Sequence, residues 1–396
     1  MKIGIYTPGI LERVGGAEGY VAHLIDIVQE IHCDVSITLI TTICDNKKIN
    51  MTNKDVVEKL NKTYGCSISE NNFFIKKIKD TYSKWNIFRK MLSFFYVYMS
   101  GRGFDVFWSG ICASHFILVP DKKSKCNYVI VHFPPIPVTH KKRNRVLAFA
   151  YNLVGKRWNN GYNYYLCNSE YTSGWLKKMW AIDAPKIKVV YPPVNLVVPH
   201  NEKKENIIIA VSRFSPEKKM ECLIETWKQI SIKHNDYKFI IVGSYDKKNR
   251  LSTEYYKKIL SINKDCSNMQ IMSDIDYETL KDFYRKSKFF WHAMGFGIDE
   301  NKQAVKLEHF GMTTVEAMSA GCIPIVINAG GQKEIVEQGL SGYKWNNLEE
   351  LSYYTEKLLQ SDDSIIEEMS KSAISRAKQF SREVFSDNIR IILSES

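Results

Sequence analysis

Short runs rich in β-branched and aromatic residues alternate with helical patterns along the chain, and this alternation limits the fold more than any other feature. The first half has a helical pattern at Ala17–Ile31 among strand-like runs. These runs are Lys2–Thr7, Val35–Thr42, Asp105–Ser109, Tyr128–Phe133, Tyr164–Asn168 and Lys188–Tyr191. Alternation of this kind predicts a parallel sheet covered by helices.

The same pattern restarts after residues 195–205, with a helical pattern at Met220–Lys233. Its strand-like runs are Ile207–Ser212, Phe239–Gly243, Met269–Met272, Phe289–His292 and Ile323–Asn328. The chain has 396 residues, more than one domain usually contains. The predicted fold class is therefore α/β, with two doubly wound Rossmann-like domains. Pro192 and Pro193 end the first domain, because consecutive prolines stop a sheet.

We expect three parts: an N-terminal domain at residues 1–197, a C-terminal domain at residues 198–378 and a closing segment at residues 379–396. The closing segment carries a helical pattern at Arg382–Leu393, and we expect it to pack back on the N-terminal domain. Ligands of doubly wound sheets bind beyond the carboxyl ends of the strands. Two domains that follow this rule are predicted to face one cleft.

Positive charge is concentrated in the first half of the chain. Residues 1–200 contain 27 Lys and Arg against 14 Asp and Glu, the rest contains 28 against 29, and the formal net charge is +12. The first half should therefore meet an anionic partner. Membrane phosphate, nucleic acid and an acidic acceptor all satisfy this electrostatic requirement.

Composition and termini indicate a reduced, cytoplasmic protein. No run approaches 18 consecutive apolar residues, and the first residues read as a strand rather than as a signal peptide. The nine cysteines are scattered, and none is spaced as Cys-x-x-Cys. The spacing suggests neither a disulfide framework nor a zinc site.

Two carboxylates eight positions apart mark the most informative segment. Glu308 precedes a predicted helix and Glu316 lies inside it. Gly311 permits a close backbone approach, so the amides that follow, at Met312 and Thr313, could meet an anion at the positive end of the helix dipole. A diphosphate fits this description.

Two further segments provide phosphate contacts. Arg213 and Lys218 stand five positions apart on one loop after a strand, where two cations would neutralise a departing diphosphate. Gly15 and Gly16 lie between the first strand and the first helix, where backbone without side chains can approach phosphate. A tight turn is the alternative explanation for these glycines.

With these motifs the chain resembles family 4 of the retaining glycosyltransferases, which have the GT-B fold, over essentially its whole length. The pair Glu308 and Glu316 resembles the Glu-x7-Glu signature of that family, and Arg213 with Lys218 resembles its diphosphate clamp. The resemblance implies a retaining, metal-independent hexosyltransferase. It assigns the N-terminal domain to the acceptor and membrane side and the C-terminal domain to the nucleotide sugar.

The resemblance also implies roles for single residues. Glu316 would hold the donor ribose, Glu308 would face the donor sugar hydroxyls, and Gly16 would lie against the phosphates. His132 resembles a histidine that these enzymes place near the anomeric centre, although it could be purely structural. The predicted catalytic residues are His132, Glu308, Arg213 and Lys218. The predicted donor-binding residues are Gly15, Gly16, Gly311, Met312, Thr313 and Glu316.

Short matches around His132, His292 and Glu308 are similar to the dolichol-pathway α-1,2-mannosyltransferases and their bacterial relatives. They imply a nucleotide-diphosphate sugar as donor, with GDP-mannose favoured and a UDP-sugar as the alternative, and no other cofactor. The implied acceptor is a lipid-linked saccharide in surface polysaccharide or glycan assembly. The expected partners also include an anionic membrane surface, which would place the protein peripherally on the cytoplasmic face, but no nucleic acid.

Three basic or acidic segments leave alternatives open. Asp274 and Asp276 imitate an Asp-x-Asp metal site, but capping of the helix that follows is the favoured interpretation, and we expect no metal. Residues 76–98 alternate cations with aromatics and either bind a bilayer surface or form a helix packed on their own domain. Residues 141–145 form a second basic patch.

Two rival functions remain. One is a glycosyltransferase acting on a soluble acceptor. The other is a non-catalytic basic protein with the same fold that binds membrane or nucleic acid.

Overall fold

The computed structural model describes residues 1–44, 46–79, 99–100, 102–110, 124–134, 161–180, 182–199, 203–263 and 266–395. The chain forms two compact units. The first consists of Met1–Pro193 and Phe385–Ser396, and the second of Val194–Val384.

A parallel sheet of seven strands forms the centre of the first unit, in the order β3-β2-β1-β4-β5-β6-β7. The strands are β1 (Lys2–Tyr6), β2 (Ser36–Ile43), β3 (Phe73–Lys79), β4 (Val106–Ser109), β5 (Cys126–Val131), β6 (Tyr164–Cys167) and β7 (Ile187–Val189). The described helices before residue 193 are α1 (Gly16–Ile31), α2 (Asn46–Ile49), α3 (Asn53–Tyr64) and α4 (Glu170–Trp180). In register, Ile5 of β1 lies opposite Leu39 of β2 and Trp108 of β4.

The second unit repeats this plan with six parallel strands in the order β10-β9-β8-β11-β12-β13. The strands are β8 (Glu205–Val211), β9 (Lys238–Gly243), β10 (Met269–Ser273), β11 (Ser287–His292), β12 (Ile323–Ile327) and β13 (Tyr343–Trp345). Its helices are α5 (Met220–Ile230), α6 (Arg250–Ile262), α7 (Tyr277–Lys286), α8 (Glu300–Gln303), α9 (Met312–Ser319), α10 (Gln332–Ile335), α11 (Leu348–Leu359) and α12 (Asp363–Ala377).

The last helix, α13 (Arg382–Ser394), contributes to the core of the first unit. Its buried side chains include Phe385, whose ring lies edge-on to Tyr20 at 4.9 Å between centroids. The hydroxyl of Tyr128 on β5 donates to the carbonyl of Ile392 at 3.2 Å. A helix from the end of the chain thus completes a core that begins with β1.

Aromatic packing fixes the centre of the second unit. Trp227 on α5, Phe239 on β9 and Trp291 on β11 are fully buried, and their ring centroids lie 5.0 to 6.3 Å apart. Each such side chain stabilises the fold by about 2–3 kcal/mol or more relative to an exposed position. This packing holds β11, so that the next residue, His292, emerges at the carboxyl edge of the sheet.

Strand order reverses at the same relative place in both sheets. The chain moves outward from β1 to β3 and then returns to place β4 beside β1; in the second sheet β11 returns beside β8. Doubly wound sheets bind ligands beyond the strand ends at such a switch point. In the second unit this point lies where β8 and β11 end, after Val211 and His292.

Two strands were absent from the sequence-based expectation. The strand β3 alternates Phe and Ile with lysines at an edge of its sheet, and β13 is only three residues long. Lys76, Lys77 and Lys79 therefore lie in a strand, not at the start of an amphipathic helix. An edge strand tolerates charged side chains on its open flank. The mixture of lysines with Phe and Ile in β3 therefore resembles an amphipathic helix in sequence although it forms a strand.

The rest of the predicted membrane segment, residues 80–98, lies outside the described residues, as does the basic patch at residues 141–145. Among the helices that the structure describes, none is both long enough and apolar enough to cross a bilayer. The interpretation of Asp276 as a helix cap is confirmed, because its carboxylate accepts the backbone N–H of Thr279 at 2.9 Å at the start of α7.

Candidate active site

A partly buried ion pair joins two predicted site residues of the second unit. The Nζ of Lys218 lies 2.6 Å from Oε2 of Glu308, and the side chains are 12% and 23% exposed. Lys218 ends a short 3-10 turn after β8, and Glu308 follows another 3-10 turn after β11. The pair therefore forms at the switch point of the sheet.

His292 completes this cluster from the end of β11. Its Nε2 lies 3.5 Å from the same Oε2 of Glu308 that Lys218 contacts, and its ring is 4% exposed. One carboxylate oxygen thus faces two nitrogen groups from two other segments of the chain. Both ring nitrogens are buried, and by geometric criteria neither makes a hydrogen bond in the described structure, so the approach of Nε2 to Glu308 is an electrostatic contact.

The cluster sets the charge of each member. Burial alone would raise the pKa of Glu308, but the positive charge of Lys218 and the contact with His292 outweigh burial, and this pKa lies well below its usual value. Burial and the nearby Lys218 lower the pKa of His292, opposed by Glu308. We therefore take Glu308 as ionised and His292 as neutral at pH 7.

Gly311 starts the helix α9 in a conformation that requires glycine. Its φ of +132° lies in the region that L side chains rarely adopt, and a Cβ would lie 2.4 Å from Nε2 of Gln332. The backbone amides of Met312 and Thr313 follow at the helix start, where the helix dipole is positive. The predicted anion-binding role of these three residues remains a prediction.

A pair of glycines supports the Glu308 loop from the far side. The N–H of Gly331 donates to the carbonyl of Glu308 at 2.8 Å. A Cβ on Gly330 would lie 2.2 Å from that carbonyl oxygen, and one on Gly331 would lie 2.5 Å from the Cα of Phe310. This close backbone packing fixes the position of the Glu308 backbone. Sequence reasoning missed this pair, although paired glycines after a strand are the signal that identified Gly15 and Gly16.

Glu316 projects from α9 toward two tyrosines of α7. The hydroxyl of Tyr284 donates to Oε2 of Glu316 at 3.2 Å, and Tyr277 also hydrogen-bonds this carboxyl. Burial raises the pKa of Glu316 to about 7, and the two tyrosine hydrogen bonds oppose that rise. Sequence reasoning missed both tyrosines. Their spacing of seven positions places them on one face of the helix, and this spacing could have identified them.

The Arg213 loop is anchored by its neighbours, whereas the Arg213 side chain is exposed. The N–H of Phe214, which is buried, donates to the carbonyl of Ser244 at 2.7 Å. At the end of the loop, the N–H of Met220 donates to the hydroxyl of Tyr255 at 2.9 Å. Arg213 thus extends from a fixed loop beside the β8 end, on the same loop as Lys218.

The remaining predicted residues belong to the first unit. Gly15 and Gly16 begin α1 after β1 and are exposed, and Gly15 has an extended φ of −172° that any residue adopts. His132 follows β5, and its carbonyl accepts from the Thr172 hydroxyl at 3.3 Å. The rings of His132 and Tyr20 meet edge-on at 5.8 Å, so α1 and the end of β5 adjoin within this unit.

One group in the described part of the first unit has side chains suited to a metal ion. His23, Asp26 and Cys66 are buried and place their ligand atoms within 4.8 Å of one another. The Sγ of Cys66 lies 3.5 Å from Nδ1 of His23, and Asp26 accepts the Ser67 N–H at 3.0 Å. These contacts already give each polar group a partner, which is sufficient to explain their burial.

The second unit therefore combines a lysine, an ionised carboxylate, a buried histidine and a glycine-initiated helix at one switch point. The charges and hydrogen-bonding groups of this site match those of an anion beside a polyhydroxyl group, because cations and amides suit phosphate and carboxylates suit hydroxyls. Two Rossmann-like units, each built on a doubly wound parallel sheet, define the class of α/β proteins with the GT-B fold. The prediction of this fold class is confirmed.

Comparison with known families supports the same class. The family described as glycosyl transferases group 1 matches residues 196–380, which is most of the second unit. The predicted resemblance to family 4 glycosyltransferases is thereby confirmed at the level of the family.

Curated relatives share part of this chain. An alpha-1,3/1,6-mannosyltransferase of Rhizomucor pusillus is 23% identical over 209 residues, which cover 44% of this chain and 45% of that protein. A GDP-Man:Man(3)GlcNAc(2)-PP-Dol alpha-1,2-mannosyltransferase of Homo sapiens is 24% identical over 257 residues, which cover 61% of this chain and 49% of that protein. The similarity thus spans about half the length of these relatives.

Solved structures share the fold over the full chain. The Anabaena protein HepE, solved with UDP and glucose, has a TM-score of 0.69 at 15% identity, with 100% of both chains covered. The lipopolysaccharide outer core galactosyltransferase WaaB has a TM-score of 0.65 at 14% identity, again with 100% of both chains covered. At these identities the likeness shows the fold alone.

Proposed function

We propose that this protein is a retaining hexosyltransferase that moves a sugar, with mannose favoured, from a nucleotide-diphosphate donor to a lipid-linked saccharide. One observation carries the proposal: Lys218, Glu308 and His292 meet beside the start of α9 at the switch point of the second sheet. A diphosphate next to a sugar is the ligand whose charges and hydroxyls match this cluster.

The chemical step follows from the charges. When the bond between the anomeric carbon and the diphosphate breaks, negative charge grows on the phosphate oxygens. Lys218, Arg213 and the amides at the start of α9 would stabilise that charge, and removing one such group typically lowers kcat by about 100- to 1,000-fold. The acceptor oxygen would bond to the anomeric carbon on the face from which the phosphate leaves, and the departing phosphate would take the proton of that hydroxyl, so that the anomeric configuration is retained.

GDP-mannose is the favoured donor because several relatives are named as mannosyltransferases that use it. A UDP-sugar is the second candidate, since HepE was solved with UDP and glucose.

The names of the same mannosyltransferases include a dolichol-linked saccharide, which supports a lipid-linked acceptor. The basic first half of the chain supports a position on an anionic membrane surface. His132, Gly15 and Gly16 remain predicted contacts of the donor.

A panel of nucleotide sugars tested by thermal shift identifies the donor. A ligand at 100 times its Kd adds about 2.7 kcal/mol to the stability of the folded state. We expect GDP-mannose to raise Tm most, with UDP-sugars next. Absence of a shift with every nucleotide sugar would contradict the proposal.

Transfer assays on Lys218→Ala, Arg213→Ala and Glu308→Ala then test the site. We expect each variant to lose about 100-fold or more in kcat. Lys371→Ala is the matched control, because Lys371 is an exposed lysine that pairs only with Glu367 on α12 in the described contacts. Equal rates in all four variants would remove the catalytic assignment.

The acceptor is tested with anionic vesicles. A lipid-linked acceptor predicts binding that weakens as salt rises, since surface charges are screened over about 10 Å at 0.1 M salt. Turnover with free sugars and no gain from lipid would instead support the soluble-acceptor alternative.

A further inference from the structure

The Lys218–Glu308 pair occupies the position where the proposed diphosphate and sugar would bind. The two groups are 2.6 Å apart and largely shielded from water. In the described structure, therefore, the cation expected to hold phosphate is neutralised by the carboxylate expected to hold sugar. An incoming diphosphate must compete with Glu308 for Lys218.

We infer that Glu308 makes the site selective for a nucleotide that still carries its sugar over the nucleotide diphosphate left after transfer. This inference rests on the proposed function and concerns the same site. When a nucleotide sugar binds, its phosphates take Lys218 and its sugar hydroxyls replace Lys218 at the carboxylate. When a nucleotide diphosphate binds, Lys218 leaves Glu308 and no hydroxyl takes its place.

The burial of Glu308 determines how strongly the site disfavours a nucleotide diphosphate relative to a nucleotide sugar. A carboxylate that loses its partner in a shielded site is strongly destabilised, because water cannot replace the lost contact. The nucleotide diphosphate also carries an ionisable oxygen where the sugar was attached, so it repels Glu308 more. After transfer, re-formation of the Lys218–Glu308 pair favours release of the product.

His292 stabilises the carboxylate through either exchange. Its Nε2 faces the same Oε2 atom as Lys218, so Glu308 keeps one nitrogen contact when Lys218 turns to phosphate. The glycine pair on the other side holds the Glu308 backbone through the Gly331 N–H at 2.8 Å. Glu308 can therefore change partners without leaving its place.

The test compares the affinities of GDP and UDP with those of GDP-mannose and UDP-glucose, measured by calorimetry on the full chain. In Glu308→Gln we expect the nucleotide diphosphates to bind about tenfold more tightly, and the nucleotide sugars to bind no more tightly or more weakly. Glu316→Gln is the matched control, because it removes the other carboxylate of this site, whose proposed partner, the ribose, is present in every ligand. We expect its effect on all four ligands to be similar.

A double-mutant cycle distinguishes loss of the Lys218–Glu308 pair from a general loss of structure. In Lys218→Met the pair is already absent, so adding Glu308→Gln should tighten nucleotide diphosphate binding much less than it does in the wild type. Melting curves confirm that each variant is folded.

Two results are decisive against the inference. If GDP and UDP bind Glu308→Gln with unchanged or weaker affinity while the wild type binds nucleotide sugars, Glu308 does not select for the sugar, and the proposed function survives. If the wild type binds none of the four ligands, the proposed function fails and the inference fails with it.

Discussion

Glu316 is a carboxyl group whose ionisation is disfavoured in the folded protein. It lies against the hydroxyls of Tyr284 and Tyr277, and burial raises its pKa from 4.5 to about 7. The folded protein therefore holds a proton on this carboxyl that the unfolded chain loses above pH 4.5. The stability contributed by this proton is complete below pH 4.5 and is lost as the pH rises through 7.

This linkage predicts the behaviour of Glu316→Gln. The amide never ionises, so the variant should be more stable than the wild type at pH 8, by about 1–3 kcal/mol, and nearly equal to it at pH 4.5. Calorimetric Tm values between pH 4.5 and 8 measure the difference. Glu368→Gln is the control, because Glu368 is an exposed acid on α12. Parallel Tm curves for the wild type and Glu316→Gln would show that burial does not govern this carboxyl.

The loop that follows β12 determines where the Glu308 backbone lies. A Cβ at Gly331 would approach the Cα of Phe310 to 2.5 Å and the carbonyl oxygen of His309 to 2.6 Å. Backbone atoms cannot move aside as a flexible side chain can. The loop and α10 therefore position the backbone of residues 308–310.

Gly331→Ala should displace the Glu308 loop, lower stability by about 1–3 kcal/mol and weaken nucleotide-sugar binding. Thermal melts and calorimetric titration with GDP-mannose measure the two effects. Gly174→Ala is the control, since Gly174 lies in α4 and a Cβ there meets no atom within 4 Å. If Gly331→Ala leaves both quantities unchanged, the support from the glycine pair is not needed.

The loop that carries Arg213 and Lys218 ends in a strained residue. Lys219 has φ +55° and ψ 35° before the first residue of α5, a conformation that glycine adopts freely and lysine does not. The strain is therefore located at the junction between the loop that carries Arg213 and Lys218 and the helix α5.

Lys219→Gly should raise stability by about 1 kcal/mol, because it removes the cost of the left-handed conformation. Lys228→Gly, inside α5, is expected to lower stability by about 1 kcal/mol, because glycine is unfavourable within a helix. Equilibrium denaturation of both variants checks the opposite signs. A loss of stability in Lys219→Gly would mean that the lysine side chain contributes more than its backbone costs.

At the scale of the whole molecule, the first unit depends on the last twelve residues of the chain. Phe385, Ile389 and Ile392 of α13 are buried in the same core as β1 and α1. The second unit is continuous from Val194 to Val384 and has its own core. The core of the first unit therefore needs the helix α13 at the end of the chain, whereas the core of the second unit does not.

Truncation after Val384 should destabilise the first unit selectively. Loss of three buried apolar side chains removes about 5–8 kcal/mol of burial, which is comparable with the total stability of many domains. Hydrogen exchange should show lost protection in β1, β4 and β5 but retained protection in β8, β9 and β11. Equal loss in both sheets would contradict this independence.

The sequence by itself determined the class of fold and the candidate residues. Strand and helix periods are local properties, so alternating patterns predicted both parallel sheets. Spacing picked out Glu308 with Glu316 and Arg213 with Lys218, and the resemblance to family 4 glycosyltransferases joined these two pairs into one set. The short strand β13 and the lysine-rich edge strand β3 were missed, because their local patterns are weak or misleading.

Only the tertiary structure decided how these residues meet. Lys218 and Glu308 are 90 positions apart in sequence, and no local pattern states that they share an ion pair, that His292 faces the same oxygen, or that Tyr284 hydrogen-bonds Glu316. Such contacts depend on where separate strands end and in which direction side chains leave them. Packing of the whole sheet fixes both, and so it alone sets the charge states on which the proposed selectivity depends.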